Sequence, residues 1–352
     1  MSVPGHTLVP RADLDAVLER SAPLWRELDG ERLFVTGGTG FMGAWLLESL
    51  VHARDRLGLD LRAVVLSRAP DRFRARAPGL ADHPALEFVT GDVRFFTPPA
   101  GRFAAIVHAA ADTSIDAERG DPTGLAEAIV AGTRRVLECG ERWAAVRTLC
   151  VSSGAIYGPQ PRDLSGFPED FALDAAPPAT AYAQAKRRAE ALCGAVAGER
   201  RPMVARCFAF VGAQLPLDGH FAVGNFIRDA VAARPIEVLS DGRAVRSYMH
   251  GVDLTVWLLT ILLRGRPGRA YNVGSDRAIS VGDLAHEVAA LVSPPLPVLV
   301  RDAPGIGPPP RYVPCIDRAR RELGLELSVP LPDALGRTLV WARAQRRLPN
   351  LH

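Results

Sequence analysis

Lysine is all but missing from this chain. The 352 residues carry 42 basic side chains, and every one except Lys186 is arginine. Long apolar runs are missing too. None approaches the roughly 20 residues that cross a bilayer, and the N-terminus lacks a signal-peptide pattern. Both absences lead us to expect a cytoplasmic protein with no membrane partner. The five cysteines (Cys139, Cys150, Cys193, Cys207 and Cys315) are odd in number and have neither metal nor redox spacing, and the eight histidines form no ligand cluster. The cysteines read as reduced core residues, and no metal is expected. A net charge of +3 is too small to draw nucleic acid, and no nucleic-acid motif is present.

What is present fits a globular enzyme. Hydrophobic residues make up 48% of the chain, enough for a substantial core and one or two domains. The single lysine stands in Ala181-Tyr182-Ala183-Gln184-Ala185-Lys186. At i and i+4 of a helix, Tyr182 and Lys186 share a face. A compact ammonium there can stabilise a phenolate and lower its pKa, which a broad guanidinium fork does less well. The other reading is a surface lysine beside a half-buried tyrosine.

The first strand, Leu33-Phe34-Val35-Thr36, runs into Gly37-Gly38-Thr39-Gly40-Phe41-Met42-Gly43, and an amphipathic helix follows. Glycines 37, 40 and 43 permit a tight turn and close backbone approach to a pyrophosphate, and the helix N-terminus supplies free amides. This strand–turn–helix context points to a dinucleotide. A second strand ends at Ser67-Arg68, where a ribose-binding carboxylate would be usual. Arginine beside a hydroxyl leans to the 2′-phosphate of NADP; alternatively, Arg68 stacks on adenine and NAD binds. Asp92, in Gly91-Asp92-Val93, is a candidate acceptor for the adenine amino group. The strand Ala104–Ala111 ends in small residues, and its His108 reads as a packed or hydrogen-bonded histidine.

A fifth strand, Arg147–Val151, leads into Ser152-Ser153-Gly154-Ala155-Ile156-Tyr157-Gly158. Taken in order, TGGTGFMG at 36–43, GDV at 91–93, HAAA at 108–111, SSGAIYG at 152–158 and YAQAK at 182–186 resemble the extended short-chain dehydrogenase/reductases of the NAD-dependent epimerase/dehydratase family. Arg206, GRAVRSYMHGVD at 242–253 and Tyr271-Asn272-Val273-Gly274 extend the resemblance over residues 30–325.

The resemblance implies a doubly wound parallel Rossmann sheet with a smaller C-terminal substrate-binding domain. The expected division is an N-terminal helical extension (1–30), a cofactor domain (31–208 with 252–275) and a substrate domain (209–251 with 276–352). It implies Tyr182 as acid/base, Lys186 on the nicotinamide ribose, and Ser153 on the substrate hydroxyl, with Ser152 the fallback. NAD or NADP would contact Gly37, Gly40, Phe41, Met42, Gly43, Ser67, Arg68, Asp92, Val93, Ala109 and Ala110. A nucleotide-diphosphate sugar is the implied substrate. Arg246 matches the diphosphate-binding arginine, with Arg228 a further candidate, and His220 and Asn225 are candidate sugar contacts. A homodimer through paired helices is also implied.

The chain departs from the family at four positions. Gly154 and Ala155 stand where dehydratases keep proton-carrying groups, and decarboxylases resembling the family tend to keep a glutamate there. Ile129 and Ala209 stand where asparagine is frequent. An epimerase needs only Ser153, Tyr182, Lys186 and room for the keto-sugar to turn, so epimerisation is the leading expectation. The alternatives are a keto-sugar reductase, a dehydratase using Asp112 or Glu169, and a non-catalytic NADP-sensing protein. Ahead of the first strand, residues 11–28 read as an amphipathic helix docking in cis, and the proline-rich stretch 294–314 reads as a loop.

Overall fold

A computed structural model describes residues 7–111, 115–173, 178–219, 221–301 and 307–346, with residues 115–117 described in the backbone alone. Its centre is a seven-stranded sheet. The strands β1 (Arg32–Thr36), β2 (Arg62–Ser67), β3 (Leu86–Thr90), β4 (Ala105–His108), β5 (Arg147–Ser153) and β6 (Met203–Cys207) are joined by a seventh, Ala270–Val273. Their spatial order is 3-2-1-4-5-6 followed by Ala270–Val273, and every pairing is parallel. Apolar residues such as Phe34, Val35, Val64, Val65, Ile106 and Leu149 are buried on both faces, as parallel strands require. The expected doubly wound sheet is present, and the order reverses between β1 and β4. Such a reversal opens a crevice at the strands' C-terminal ends.

The helix α1 (Arg11–Arg26) packs in cis. Its Leu14, Val17 and Trp25 join one core with Trp45 of α2 (Phe41–Leu57) and Trp257 of the helix Gly251–Arg264. Arg20 donates to Asp253 at 2.5 Å, and Arg337 donates to Asp13 at 2.8 Å. A second core unites Phe226 and Ile227 of the helix Ala222–Val231 with Leu284 of Val281–Ala289 and Leu335 of Leu331–Arg346.

One expectation is corrected here. The proline-rich stretch is not all loop, because Val298–Val300 forms a strand parallel to Ile236–Val238. Three aliphatic residues in a row suit an extended edge. Pro297 joins the pairing only through its carbonyl, which accepts from the Ile236 amide at 2.9 Å, so its lack of an N–H does no harm.

Candidate active site

The cofactor end is built from backbone. Gly37 has φ +75°, and a Cβ on it would lie 2.5 Å from the carbonyl carbon and oxygen of Ala109 and 2.7 Å from the Ala110 nitrogen. A Cβ on Gly43 would lie 2.3 Å from the Gly37 oxygen. The turn is thus pressed against β4 on one side and its own helix on the other, and neither contact leaves room for a side chain. The helix α2 starts at Phe41 with Gly40 as its N-cap, no side-chain cap and no acid in its first turn. Its first amides and positive dipole end are left for an anion. Such a cradle fits a dinucleotide's diphosphate. The Phe41 ring packs on Phe210, with centroids 6.3 Å apart.

Thr36 ties the two strand ends together. Its hydroxyl accepts from the Ala110 amide at 3.2 Å and pairs with His108 Nδ1 at 2.8 Å. Nε2 of His108 meets the Thr133 hydroxyl at 3.1 Å. Burial, aided by the Lys186 charge, pushes the His108 pKa down to about 3. The ring is therefore a neutral structural link.

At the end of β2, the buried Ser67 hydroxyl accepts from the Ala69 amide at 3.3 Å, while Arg68 is exposed. Asp92 is already gripped by Arg94, whose Nε and Nη2 donate to its two oxygens at 2.9 Å each. Those bonds hold the Asp92 carboxyl below its usual range, and the remaining lone pairs are what an adenine amino group could reach. Val93 packs its methyls over Gly132. Arg76, on the short helix α3 (Pro70–Arg76), reaches back to donate to Thr39 O in the glycine turn at 2.9 Å. No motif marked Arg76; its one signal is its place just after β2.

The trio comes from two elements. Ser153 is the last residue of β5, and its hydroxyl accepts from the Ala155 amide at 3.1 Å. Tyr182 and Lys186 share one face of the helix Ala181–Ala195, whose N-cap Thr180 accepts from the Ala183 amide at 3.2 Å. Lys186 Nζ lies 5.8 Å from the Tyr182 ring centroid and donates to Val151 O at 2.8 Å. The Ser153 hydroxyl faces the Tyr182 phenol and favours its ionised form. Burial outweighs that help, and the tyrosine pKa is pushed up to about 12. The expected lowering by Lys186 is thus not met in the free chain. Burial also lowers the pKa of Lys186, and its ammonium is turned to the β5 backbone.

Beside the trio there is no proton carrier at the two positions after Ser153. A Cβ on Gly154 would lie 2.6 Å from the Phe208 ring, so an aromatic ring fills the volume a side chain would need. Ala155 is apolar, and Ile129 is buried among Leu125, Ala185 and Ala189. Glu169 is occupied structurally. Its Oε1 accepts from the Asn272 amide at 2.9 Å, and Arg318 lies 3.7 Å from Oε2. Asp112 and His220 lie outside the described residues. Arg206 is structural as well, donating to Glu190 at 2.8 Å, to the Tyr157 hydroxyl at 2.9 Å and to Glu169 O at 2.8 Å.

On the substrate side, Arg246 Nη1 donates to Val245 O at 2.9 Å. Among the described residues Asn225 is engaged by Arg228 instead; its Oδ1 accepts from Arg228 at 3.2 Å, and Arg228 also pairs with Asp229. Sequence reasoning also missed Tyr312. Its ring packs on Phe208 at 4.7 Å, and its hydroxyl faces that of Ser153. A tyrosine inside a proline-rich stretch carries no pattern that could have found it.

This geometry has counterparts among known proteins. Residues 33–274 match the NAD dependent epimerase/dehydratase family. The chain is 26% identical over 324 residues to a dTDP-glucose 4,6-dehydratase of Streptomyces griseus, covering 89% of this chain and 94% of that one. Its fold is similar to the dTDP-glucose 4,6-dehydratase of Streptomyces venezuelae solved with NAD bound. The TM-score is 0.72 at 25% identity, over 90% of this chain and 98% of that one. It is also similar to the UDP-glucose 4-epimerase of Thermotoga maritima, with TM-score 0.74 at 19% identity over 90% and 100%. A glycine turn on a seven-stranded parallel sheet, a Ser–Tyr–Lys trio at its rim and a family match over most of the chain lead to one conclusion: this protein is an enzyme of the NAD dependent epimerase/dehydratase family.

Proposed function

We propose that this enzyme is a nucleotide-sugar epimerase that oxidises a ring hydroxyl, C4 being the position we favour, and returns the hydride to the opposite face. The observation that carries this reading is the Phe208 ring over Gly154. With that volume filled and Ala155 apolar, the positions beside Ser153 have no group to take a carbon-bound proton or protonate a leaving hydroxyl. Oxidation and reduction need neither.

The roles follow from placement. The amides at the start of α2 would hold the diphosphate of NAD or NADP, with Ala109 and Ala110 close beneath the turn. Bound there, the nicotinamide supplies reversible hydride acceptance. Tyr182 removes and returns the proton of the reacting hydroxyl, Ser153 orients that hydroxyl, and Lys186 stands one helical turn on, with Nζ 5.8 Å from the phenol ring centre. Proton transfer by a positioned side chain contributes about 100- to 10,000-fold. Arg246, a fork of donors, suits a nucleotide's diphosphate.

A second reading, a keto-sugar reductase, is favoured by Ser67, the exposed Arg68 and Arg76 at the turn. These groups suit a 2′-phosphate and so NADP, the usual reductant. Incubating the enzyme with UDP-, dTDP-, GDP- and CDP-sugars, at trace and stoichiometric NAD or NADP, separates the two by proton NMR and mass spectrometry. An isomer of unchanged mass at trace cofactor supports the epimerase. Conversion that halts when cofactor is consumed makes it a reductase or dehydrogenase, and loss of water defeats the reading of Gly154.

A further inference from the structure

Tyr312 sits on a strap, Pro310–Cys315, tied down on both sides of the cleft. On the substrate side the Tyr312 amide donates to Val245 O at 3.0 Å. Pro310 O accepts from the Val245 amide at 2.8 Å and from Arg246 Nη1 at 3.4 Å. On the other side the Phe167 amide donates to Val313 O and the Cys315 amide to Phe167 O, both at 2.9 Å, while the Val313 amide donates to Gln160 Oε1 at 2.9 Å. The strap thus joins the strand of Arg246 to the loop that follows Ser153.

Between these anchors the Tyr312 ring lies against Phe208, with centroids 4.7 Å apart. Its hydroxyl meets Cys207 O only at 3.5 Å, the outer limit of a hydrogen bond, so that bond yields readily to a better acceptor. Cys207 stands opposite Ser153 in the β5–β6 register, so this contact brings the Tyr312 hydroxyl to Ser153, which also interacts with Tyr182. Two phenols therefore converge on one serine. They differ in their neighbours, since the ammonium of Lys186 lies by Tyr182, whereas the cation near Tyr312 is Arg246. Burial raises both phenols above the ordinary tyrosine range, and the lysine stands beside Tyr182 alone, so Tyr312 is the one placed to keep its hydrogen and donate it.

We propose that Tyr312 is a third hydroxyl of the active site, donating a hydrogen bond to the reacting oxygen of the sugar alongside Ser153 and transferring no proton. The strap then makes the grip on the diphosphate, through Arg246, and the grip on the reacting oxygen parts of one element. This inference rests on the nucleotide-sugar reading.

The test is calorimetric titration of the full chain, wild type and Tyr312→Phe, with UDP, dTDP, UDP-glucose and dTDP-glucose, together with kcat on the nucleotide sugar that the wild type converts. The phenylalanine keeps the ring against Phe208 and removes only the donor. The expected result is unchanged affinity for UDP and dTDP, a loss of roughly 3- to 10-fold for the sugar-bearing form, and a fall in kcat of about 100-fold. Equal sugar-nucleotide affinity with unchanged kcat overturns the proposal. So does a parallel loss of UDP and dTDP affinity, which would make Tyr312 a prop for the strap. A wild type that binds none of the four, nor GDP, CDP and their glucose forms, defeats the nucleotide-sugar reading and the proposal with it.

Discussion

Around the β1–α2 turn the walls of the cleft are main chain. A Cβ on Gly43 would come within 2.3 Å of the Gly37 oxygen, and one on Gly37 within 2.5 Å of the Ala109 carbonyl. Around Ser153 the walls are side chains from distant segments: Phe208 just beyond β6, Tyr312 on the strap, and Tyr182 with Lys186 on the helix Ala181–Ala195. On the proposed reading, the first region would recognise what all its ligands share, a diphosphate, with groups that cannot be exchanged without moving the backbone. The second would meet what differs between sugars, with groups that substitution can alter singly. Stringency therefore belongs to the cofactor end and variety of outcome to the sugar end.

The broadest effect should come from filling the backbone cradle, because loss of the cofactor stops every reaction at the site. Gly43→Ala places a methyl against Gly37 and Gly38, and affinity for NAD and NADP should fall roughly 100-fold or more, as overpacking against main chain predicts. Calorimetry measures it, and affinity equal to wild type would break the contrast between the two regions. Next is Tyr182→Phe. This change should lower kcat about 1,000-fold while NADH binding, followed by fluorescence, stays as it was. Loss of both would mean that the tyrosine supports the cofactor rather than the chemistry.

A smaller effect sharpens the account of the sugar side. Gly154→Asp should destabilise the fold by about 1–3 kcal/mol through the clash with Phe208. Phe208→Ala in the same chain should return part of that loss. Additive changes in thermal stability would show that the two positions do not compete for one volume.

The last is a pH effect beneath the cofactor end. Glu48 is buried in α2, accepts from the Leu8 amide at 2.6 Å, and is pushed up to about 7 by burial. The unfolded chain ionises this carboxyl in the ordinary glutamate range, while the folded chain resists until about 7. Its contribution is therefore full below the ordinary range and is lost as pH rises through about 7, by up to ~3 kcal/mol. Denaturant titrations of Glu48→Gln across that window should lose this slope. An unaltered slope would assign it to other groups.

The same contrast explains what could be read from the sequence. The glycine turn, the parallel strands and the Tyr182–Lys186 helix obey local rules of period and spacing, so they were legible. Tyr312 was not, because only the long-range pairing of Val313 and Cys315 with Phe167 brings it to Ser153. The strand Val298–Val300 was hidden because its partner, Ile236–Val238, lies far off in sequence. The expected lowering of the Tyr182 pKa failed because spacing shows a nearby charge but not the burial that opposes it. Arg94 on Asp92, two residues away, could have been anticipated, as an ion pair needs only sequence proximity there.

On the proposed reading, this site moves hydride and a hydroxyl proton but eliminates nothing. Running the reaction in D2O with trace cofactor, on the nucleotide sugar found to turn over, tests it most directly. Once exchangeable hydroxyl deuterons are washed out, the account predicts an epimer of unchanged mass with no deuterium on carbon, because the hydride that leaves is the hydride that returns. A product lacking water, or carrying deuterium on the ring or side-chain carbons, would contradict it.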